Sequence, residues 1–346
     1  MNKKKLVILT LIIVFLILEI IFPSVRNVSF YLLMLMLAIF FTLFFHEFGH
    51  VLGCWATKTK ITKFIVLCFS IELSNQGYKL RLNRNLDWFG GMVQFSVGDD
   101  NDIDYIYQKG AIIALAGPLA SVILCCISFI FSEMTPNLFF DSLSVMNLGV
   151  FGVTILPYYS SGVHSDGYQF VKLIKKDHYF QVIYLLSSYL SSNVEPKKWP
   201  EISWSDIQKI INNDDIGERL ILASYIFYRS QFVDIDDSSS SLIFDETLDL
   251  EKMKGTDTSK QLYRAYCQSY YYIENTHVQS KNFFIDKLDL ISKARVNYFM
   301  ALTTEEKNKY LKEYDRILSK NKDEPMGFLI GEKQFNRKLH QQIEKI

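Results

Sequence analysis

"LFFHEFGHVLGCW", residues 43–55, lies inside one of the most apolar parts of this 346-residue chain. His46, Glu47 and His50 stand out in it, because polar side chains in hydrocarbon are costly and mark functional positions. His46-Glu47-Phe48-Gly49-His50 has the form H-E-x-x-H. On a helix, positions i and i+4 share a face, so both imidazoles reach one metal ion and the adjacent glutamate reaches a water bound to it. A chance occurrence would strand three polar groups in lipid, at ~1 kcal/mol or more each. Zinc supplies the missing partner. A catalytic zinc site ordinarily takes three protein ligands and leaves a fourth position open, so a further ligand is required from elsewhere in the chain.

Working outward, "FYLLMLMLAIFFTLFFHEFGHVLGCWA" (30–56) is long enough to cross a hydrocarbon core of ~30 Å. Three other stretches have the same character. The apolar run 6–22 behind Lys3, Lys4 and Lys5 reads as a retained first transmembrane helix, since it is long for a signal peptide and lacks an A-x-A cleavage site. "AIIALAGPLASVILCCISFIF" (111–131) and "LSVMNLGVFGVTILP" (143–157) supply the third and fourth. Lys and Arg concentrate in "MNKKK", "TKTKITK" and "KLIKK", which places both termini in the cytoplasm.

Between the second and third spans, "KFIVLCFSIEL" and "GYKLRLN" alternate or are β-branched, which predicts short strands. The Gly90-Gly91 pair follows within "WFGGMVQFSV". Beyond residue 185 the composition turns polar, and four stretches between 217 and 320 carry apolar residues at helical spacing, with Ser205 as an N-cap ahead of them. The expected fold is mainly α. It is a polytopic membrane protein of about four transmembrane helices, with a small β segment between spans 2 and 3 and a soluble helical C-terminal domain. The expected divisions are a first span and outer loop at 1–29, a core at 30–185 and a cytoplasmic helical domain at 186–346.

Thirty-seven Lys+Arg balance thirty-seven Asp+Glu, so the basic excess of a nucleic-acid binder is absent. The five cysteines show neither C-x-x-C nor framework spacing and read as reduced structural residues. Tyr263, Tyr266, Tyr270, Tyr271 and Tyr272 read as helix-packing residues.

For the missing ligand, "PYYSSGVHSDGYQF" after the fourth span offers His164 and Asp166. Here the chain resembles the site-2 protease family of intramembrane zinc metalloproteases. That family pairs H-E-x-x-H in one transmembrane helix with an Asp-Gly motif, N-x-x-P…D-G, in a later one. Asp166-Gly167 matches the Asp-Gly, Pro157 the proline, "AGPLAS" around Gly117-Pro118 the family's Gly-Pro element, and Gly90-Gly91 its membrane-associated segment. The resemblance covers roughly residues 30–172. It departs at Thr154 and Ser121, where asparagines are usual, and in the interval from Pro157 to Asp166, which is longer than usual.

The resemblance implies that His46, His50 and Asp166 bind Zn²⁺ and that Glu47 is the general base of peptide-bond hydrolysis. The implied substrates are membrane-spanning or membrane-associated proteins and peptides. The strand-like segment 63–83 can receive such a substrate as an added strand. Two other readings stand beside the enzyme: a catalytically idle zinc scaffold whose helical domain recruits a partner, and a transporter, which four spans without an inverted repeat disfavour. The expected setting is the cell membrane, with the lipid bilayer as a partner and residues 186–346 available to a cytoplasmic protein. Richness in Lys, Asn, Ile and Tyr points to an AT-rich bacterial genome.

Overall fold

Three helices among the described residues are long and apolar enough to cross a membrane, and they pack on one another. The computed structural model describes residues 23–74, 77–83, 90–96, 102–160, 163–192, 194–233, 240, 242–245, 248–273, 290–301, 303–320 and 327–343. The three helices are α1 (Pro23–Ala56), α2 (Ile103–Met134) and α3 (Leu138–Ile155). They correspond to the second, third and fourth expected spans; the first, at 6–22, lies outside the described residues. Helix α1 has 34 residues. At a rise of ~1.5 Å per residue it extends about 50 Å, more than the hydrocarbon core needs. Asp102 starts α2, its carboxylate accepting from the Tyr105 amide, and Asn137 caps α3 by accepting from the Phe139 amide.

Small residues let α1 and α2 approach closely. A Cβ on Gly49 would stand 2.5 Å from the Ala116 carbonyl oxygen and 2.6 Å from the Ala120 Cβ. One turn on, a Cβ on Gly53 would meet Ala116 at 2.9 Å. Helix α3 joins through Asn147, buried and donating to Thr42 Oγ1 of α1 at 3.0 Å. Gly149 and Gly152, by contrast, face nothing within 4 Å, so they serve no close contact.

The sequence between α1 and α2 forms a four-stranded antiparallel sheet, order β3-β2-β1-β4, of β1 (Lys60–Val66), β2 (Phe69–Ser74), β3 (Gly77–Leu82) and β4 (Met92–Ser96). Register explains its amphipathicity. Phe69 pairs with Leu82, Ile71 with Leu80 and Leu73 with Tyr78. One face of the β2–β3 hairpin is therefore apolar, because alternate residues of a strand share a face. Leu80 and Leu82 on that face are 70% and 67% exposed. The alternate positions put Glu72 on the other face, bridged to Lys63 at 2.9 Å and Arg81 at 3.1 Å. Such a face, continuous with membrane-spanning helices, suits the bilayer interface.

After α3 come a short hairpin (β5, Tyr159–Ser160; β6, Val163–His164), then α4 (Asp166–Ile174) and α5 (His178–Leu190). The α-helices that follow among the described residues are α6 (Trp204–Ile211), α7 (Ile216–Arg229), α8 (Asp257–Ile273), α9 (Leu290–Met300), α10 (Thr304–Lys320) and α11 (Gly327–Ile343). Helix α11 is not among the four stretches that the sequence pattern predicts. Ser203, not Ser205, caps α6, accepting from the Asp206 amide. Tyr263, Tyr266 and Tyr270 are buried packing residues, and the five cysteines are free.

Helix α5 spans the junction at 185/186 where the helical domain is expected to begin. One apolar core runs through it, from Ile106 and Tyr107 of α2 by way of Phe180 and Leu186 to Tyr225 and Phe335. Deep in that core, fully buried Arg295 of α9 pairs with fully buried Glu332 of α11 at 2.9 Å. Tyr228 of α7 donates to the same carboxylate at 2.8 Å, Tyr314 of α10 donates to its other oxygen, and the guanidinium lies 4.6 Å from the Tyr266 ring centroid of α8. The cluster thus ties five helices together.

These contacts set the cost of disturbing them. Glu332→Gln leaves a buried guanidinium without its counter-charge and should cost about 3–5 kcal/mol in denaturant unfolding of the detergent-solubilised protein. Gly49→Ala overpacks the α1–α2 contact and should cost about 1–3 kcal/mol, whereas Gly149→Ala, in open space within a helix, should be neutral or stabilising by up to about 1 kcal/mol.

Candidate metal centre

His46 and His50 project from the same face of α1 toward α2, with ring centroids 5.1 Å apart. Each ring is held by its Nδ1. His50 donates from Nδ1 to the Ile113 carbonyl at 2.7 Å, and His46 Nδ1 shares a 2.9 Å hydrogen bond with Ser121 Oγ. Both partners lie on α2 and both bonds are buried. This leaves the two Nε2 atoms pointing into one space.

Asp166 enters that space from the first turn of α4. Its Oδ2 lies 3.2 Å from His46 Nε2 and 3.5 Å from His50 Nε2. Ser165 sets the position locally: its hydroxyl accepts from the Tyr168 amide to cap α4, accepts from the Tyr158 amide and donates to the Leu156 carbonyl. Gly167 does the rest. A Cβ there would collide with the Ile155 carbonyl oxygen, so only glycine lets α4 begin against the end of α3.

Do these residues fit zinc? Ligand atoms ~2.0–2.2 Å from a tetrahedral ion stand roughly 3.3–3.6 Å from one another. The observed 3.2 and 3.5 Å match that spacing, and the three donor atoms all lie within 4.8 Å of each other. Nδ1 bonds to a backbone carbonyl and a hydroxyl are the outer-shell arrangement that fixes metal-binding imidazoles. The donor set fits.

Glu47 is buried beside this cluster and, with both histidines and Asp166, lines a cavity of about 330 Å³. Gly91, at φ 134°, brings the backbone ahead of β4 against it: a Cβ there would stand 2.5 Å from Glu47 Oε1. That left-handed φ is open to glycine and strained for other residues. Gly117 has an equivalent part on α2, since a Cβ at that position would strike the His50 ring.

His164, the other ligand candidate, lies in the cavity wall outside the three-donor cluster. It lies against the rings of Tyr159 (4.8 Å) and Tyr168 (5.2 Å), which also touch each other at 6.1 Å, with Phe180 edge-on at 5.2 Å. Burial in this aromatic setting pushes its pKa down to about 4, so the ring is neutral at neutral pH. The long interval from Pro157 to Asp166 is the β5–β6 hairpin that carries it, and Tyr159 donates from its hydroxyl to Asp215, the N-cap of α7. Thr154, at the position of the usual asparagine, lines the cavity and donates back to the Val150 carbonyl at 2.9 Å.

The sequence profile of Peptidase family M50 matches residues 34–314. This chain belongs to that family, the site-2 proteases. Neither a curated protein nor a solved structure matches it. Membership makes the chain a multi-pass membrane protein of a metallopeptidase family, in agreement with its three apolar helices. The M50 match also runs through α5 to α9 and into α10, well beyond the stretch 30–172 that carries the resemblance.

Ser121 stands where a family asparagine is usual, and here it is the partner of His46. Ser121→Ala should therefore weaken metal binding about 10–100-fold in competition against a graded chelator, while Ser121→Asn should restore part of the loss.

Proposed function

We propose that this chain is a zinc-dependent intramembrane protease that hydrolyses peptide bonds of membrane-spanning or membrane-associated proteins and peptides. The observation that carries the reading is the convergence of His46 Nε2, His50 Nε2 and Asp166 Oδ2 on one point beside buried Glu47. His46, His50 and Asp166 hold the zinc. When bound, zinc supplies a Lewis acid for the scissile carbonyl and lowers the pKa of water toward ~7.

The chain's own groups do the rest. Glu47, as general base, takes the proton of the attacking water and returns it to the leaving amine. Ser121 and Ile113 hold both imidazoles in the tautomer that leaves Nε2 free for metal. The position of Glu47, lining the cavity, favours the enzyme over an idle zinc scaffold, because a structural metal needs no base.

Helical substrates hide their peptide bonds and must be unwound. In the described residues β4 pairs with β1 along one side only, and its other side opens toward the Glu47 cavity. A substrate segment added to that edge lies extended past Glu47, held by main-chain bonds that are indifferent to sequence. The receiving edge is therefore β4, just beyond the 63–83 stretch that the sequence pattern suggests.

The proposal includes the division into a first span (1–29), a core (30–185) and a helical domain (186–346). It sets the protein in a bacterial cell membrane with both termini cytoplasmic and the helical domain open to a cytoplasmic partner.

Glu47→Gln should lower cleavage of a membrane substrate by about 10²–10⁴-fold with zinc content retained, and His46→Ala should lose both. Cleavage persisting in Glu47→Gln would falsify the base assignment. Neighbouring residues of an edge strand point their N–H groups alternately to the ladder and to the open side, so one of Val93→Pro and Gln94→Pro removes an open-edge donor while sparing the β1 ladder. That variant should cut poorly while binding zinc normally, as read by side-by-side cleavage and metal analysis.

A further inference from the structure

The cavity at Glu47 does not end at the metal-binding side chains. A second cavity of about 370 Å³ continues from it, sharing Met92, Val93, Phe95, His164, Gln169 and Tyr184 as common lining. One wall is the open edge of β4. The opposite wall is a face of α5 and the Ser191 that caps its C-terminus, where Phe180, Ile183, Ser187 and Ser191 recur at three- and four-residue intervals and so stack along one side of the helix. Ile221 of α7 closes it from behind. Half of this groove is thus built from the helices that lead into and form the C-terminal part of the chain.

Its chemistry is particular. The lining mixes apolar side chains with hydroxyls, amides and the His164 imidazole, and no Asp, Glu, Lys or Arg side chain is among the described residues that form it. A charged side chain packed against this lining would lose part of its water without meeting a counter-charge, which is unfavourable. An uncharged polar side chain can find Ser187, Ser191 or Gln169, and an apolar one can pack on Phe180, Ile183 or Ile221.

Distance sets which substrate residues are concerned. The backbone of Gly91 abuts Glu47, and the five residues of β4 follow it. At ~3.4 Å per residue they extend about 17 Å. A peptide paired with this edge and cut at Glu47 carries its next three or four residues between β4 and α5.

We infer that the β4–α5 groove is a specificity subsite of the protease, one that admits an uncharged stretch of three or four residues on one side of the scissile bond and rejects charged ones. This rests on the protease reading and extends it to the class of substrate. The stripe on α5 is then a specificity determinant, and the helical domain takes part in substrate choice.

The test uses the full-length zinc-loaded protein in detergent micelles and a quenched-fluorescence library built on uncharged ten-residue peptides, with Asp or Lys placed singly at each position. The expected profile is a loss of at least tenfold in kcat/KM for either charge within four residues on one side of the cut, with weaker effects on the other side. Ser187→Lys, at an exposed wall position, and Ser191→Lys, at a half-buried one, should recover Asp-containing peptides about tenfold and further penalise Lys-containing ones. Equal tolerance of charge on both sides, or an unchanged profile in both lysine variants, overturns the subsite.

A second arm is independent of turnover. A photo-crosslinking p-benzoylphenylalanine at Ser191 in the Glu47→Gln protein should capture the uncharged peptide, and one at exposed Lys312 should not; equal capture at both sites, or none at Ser191, also overturns it. Absence of cleavage of every peptide by the wild-type zinc-loaded protein would sink the protease reading instead, and it leaves the crosslink result standing by itself.

Discussion

Everything in this molecule answers to the need to bring a carboxylate from one helix against two imidazoles on another. His46 and His50 come as a pair within one helix turn, but Asp166 is 116 residues further along the chain than His50 and reaches them only because α1, α2, α3 and α4 are packed around the same point. Two buried imidazole nitrogens and a carboxylate share that space. Their spacing of 3.2 and 3.5 Å is one that a tetrahedral ion could accept. The glycines at 49, 117 and 167 sit where neighbouring backbone or the His50 ring leaves no volume for a Cβ. Their common effect is to let polypeptide approach the His46–His50–Asp166 cluster more closely than side chains would permit.

What can be read from the sequence follows from how local each feature is. The H-E-x-x-H pattern is complete in five residues and its geometry is fixed by helical periodicity, so its meaning survives without a structure. Long apolar runs are equally local, which is why the helices around 30–56, 111–131 and 143–157 emerge with errors only at their ends. Asp166 is different. Nothing in its own neighbourhood distinguishes it from His164 as a ligand, and family resemblance is needed to prefer it; the structure brings Asp166 to the imidazoles and puts His164 in an aromatic stack nearby. The contact between His46 and Ser121 spans 75 positions, and the approach of Gly91 to Glu47 spans 44, so no periodicity in the chain can announce either. Ser121 carries a faint signal, as a departure from an expected asparagine; the hydrogen bond to His46 gives that departure a physical sense, because a serine hydroxyl can still meet an imidazole Nδ1.

The helical C-terminal part shows how a composition boundary can mislead about physical connection. The chain changes from apolar to polar near residue 185, yet α5 is apolar on both sides of that point. Helix α5 has 13 residues. At ~1.5 Å each they give about 20 Å, too short to cross a bilayer, so such a helix must satisfy its apolar surface within protein. It does so by packing on α7 and α4 and by extending the core that begins at Ile106 of α2. The polar helices that follow then enclose a core of their own, pinned by Arg295 and Glu332. A fully buried ion pair is weak evidence for stability as such. With two tyrosine hydroxyls on the carboxylate and an aromatic face under the guanidinium, it allows one mutual arrangement of α7 to α11 and penalises others.

This arrangement bears on the His46–His50–Asp166 cluster through a short physical path. Tyr159 of the β5–β6 hairpin donates to Asp215, and the same aspartate caps α7 through the amides of Gly217 and Glu218. On the other side of the hairpin, Tyr159 pairs with His164, which lies two residues before Asp166. A displacement of the start of α7 therefore pulls on a hairpin that ends at the carboxylate facing the two imidazoles. Because Ser165 anchors that end through three hydrogen bonds, the hairpin cannot yield there without disturbing the cap of α4. The extra residues between Pro157 and Asp166 thus have a mechanical consequence: they make the placement of Asp166 depend on the packing of α7 and the helices it contacts.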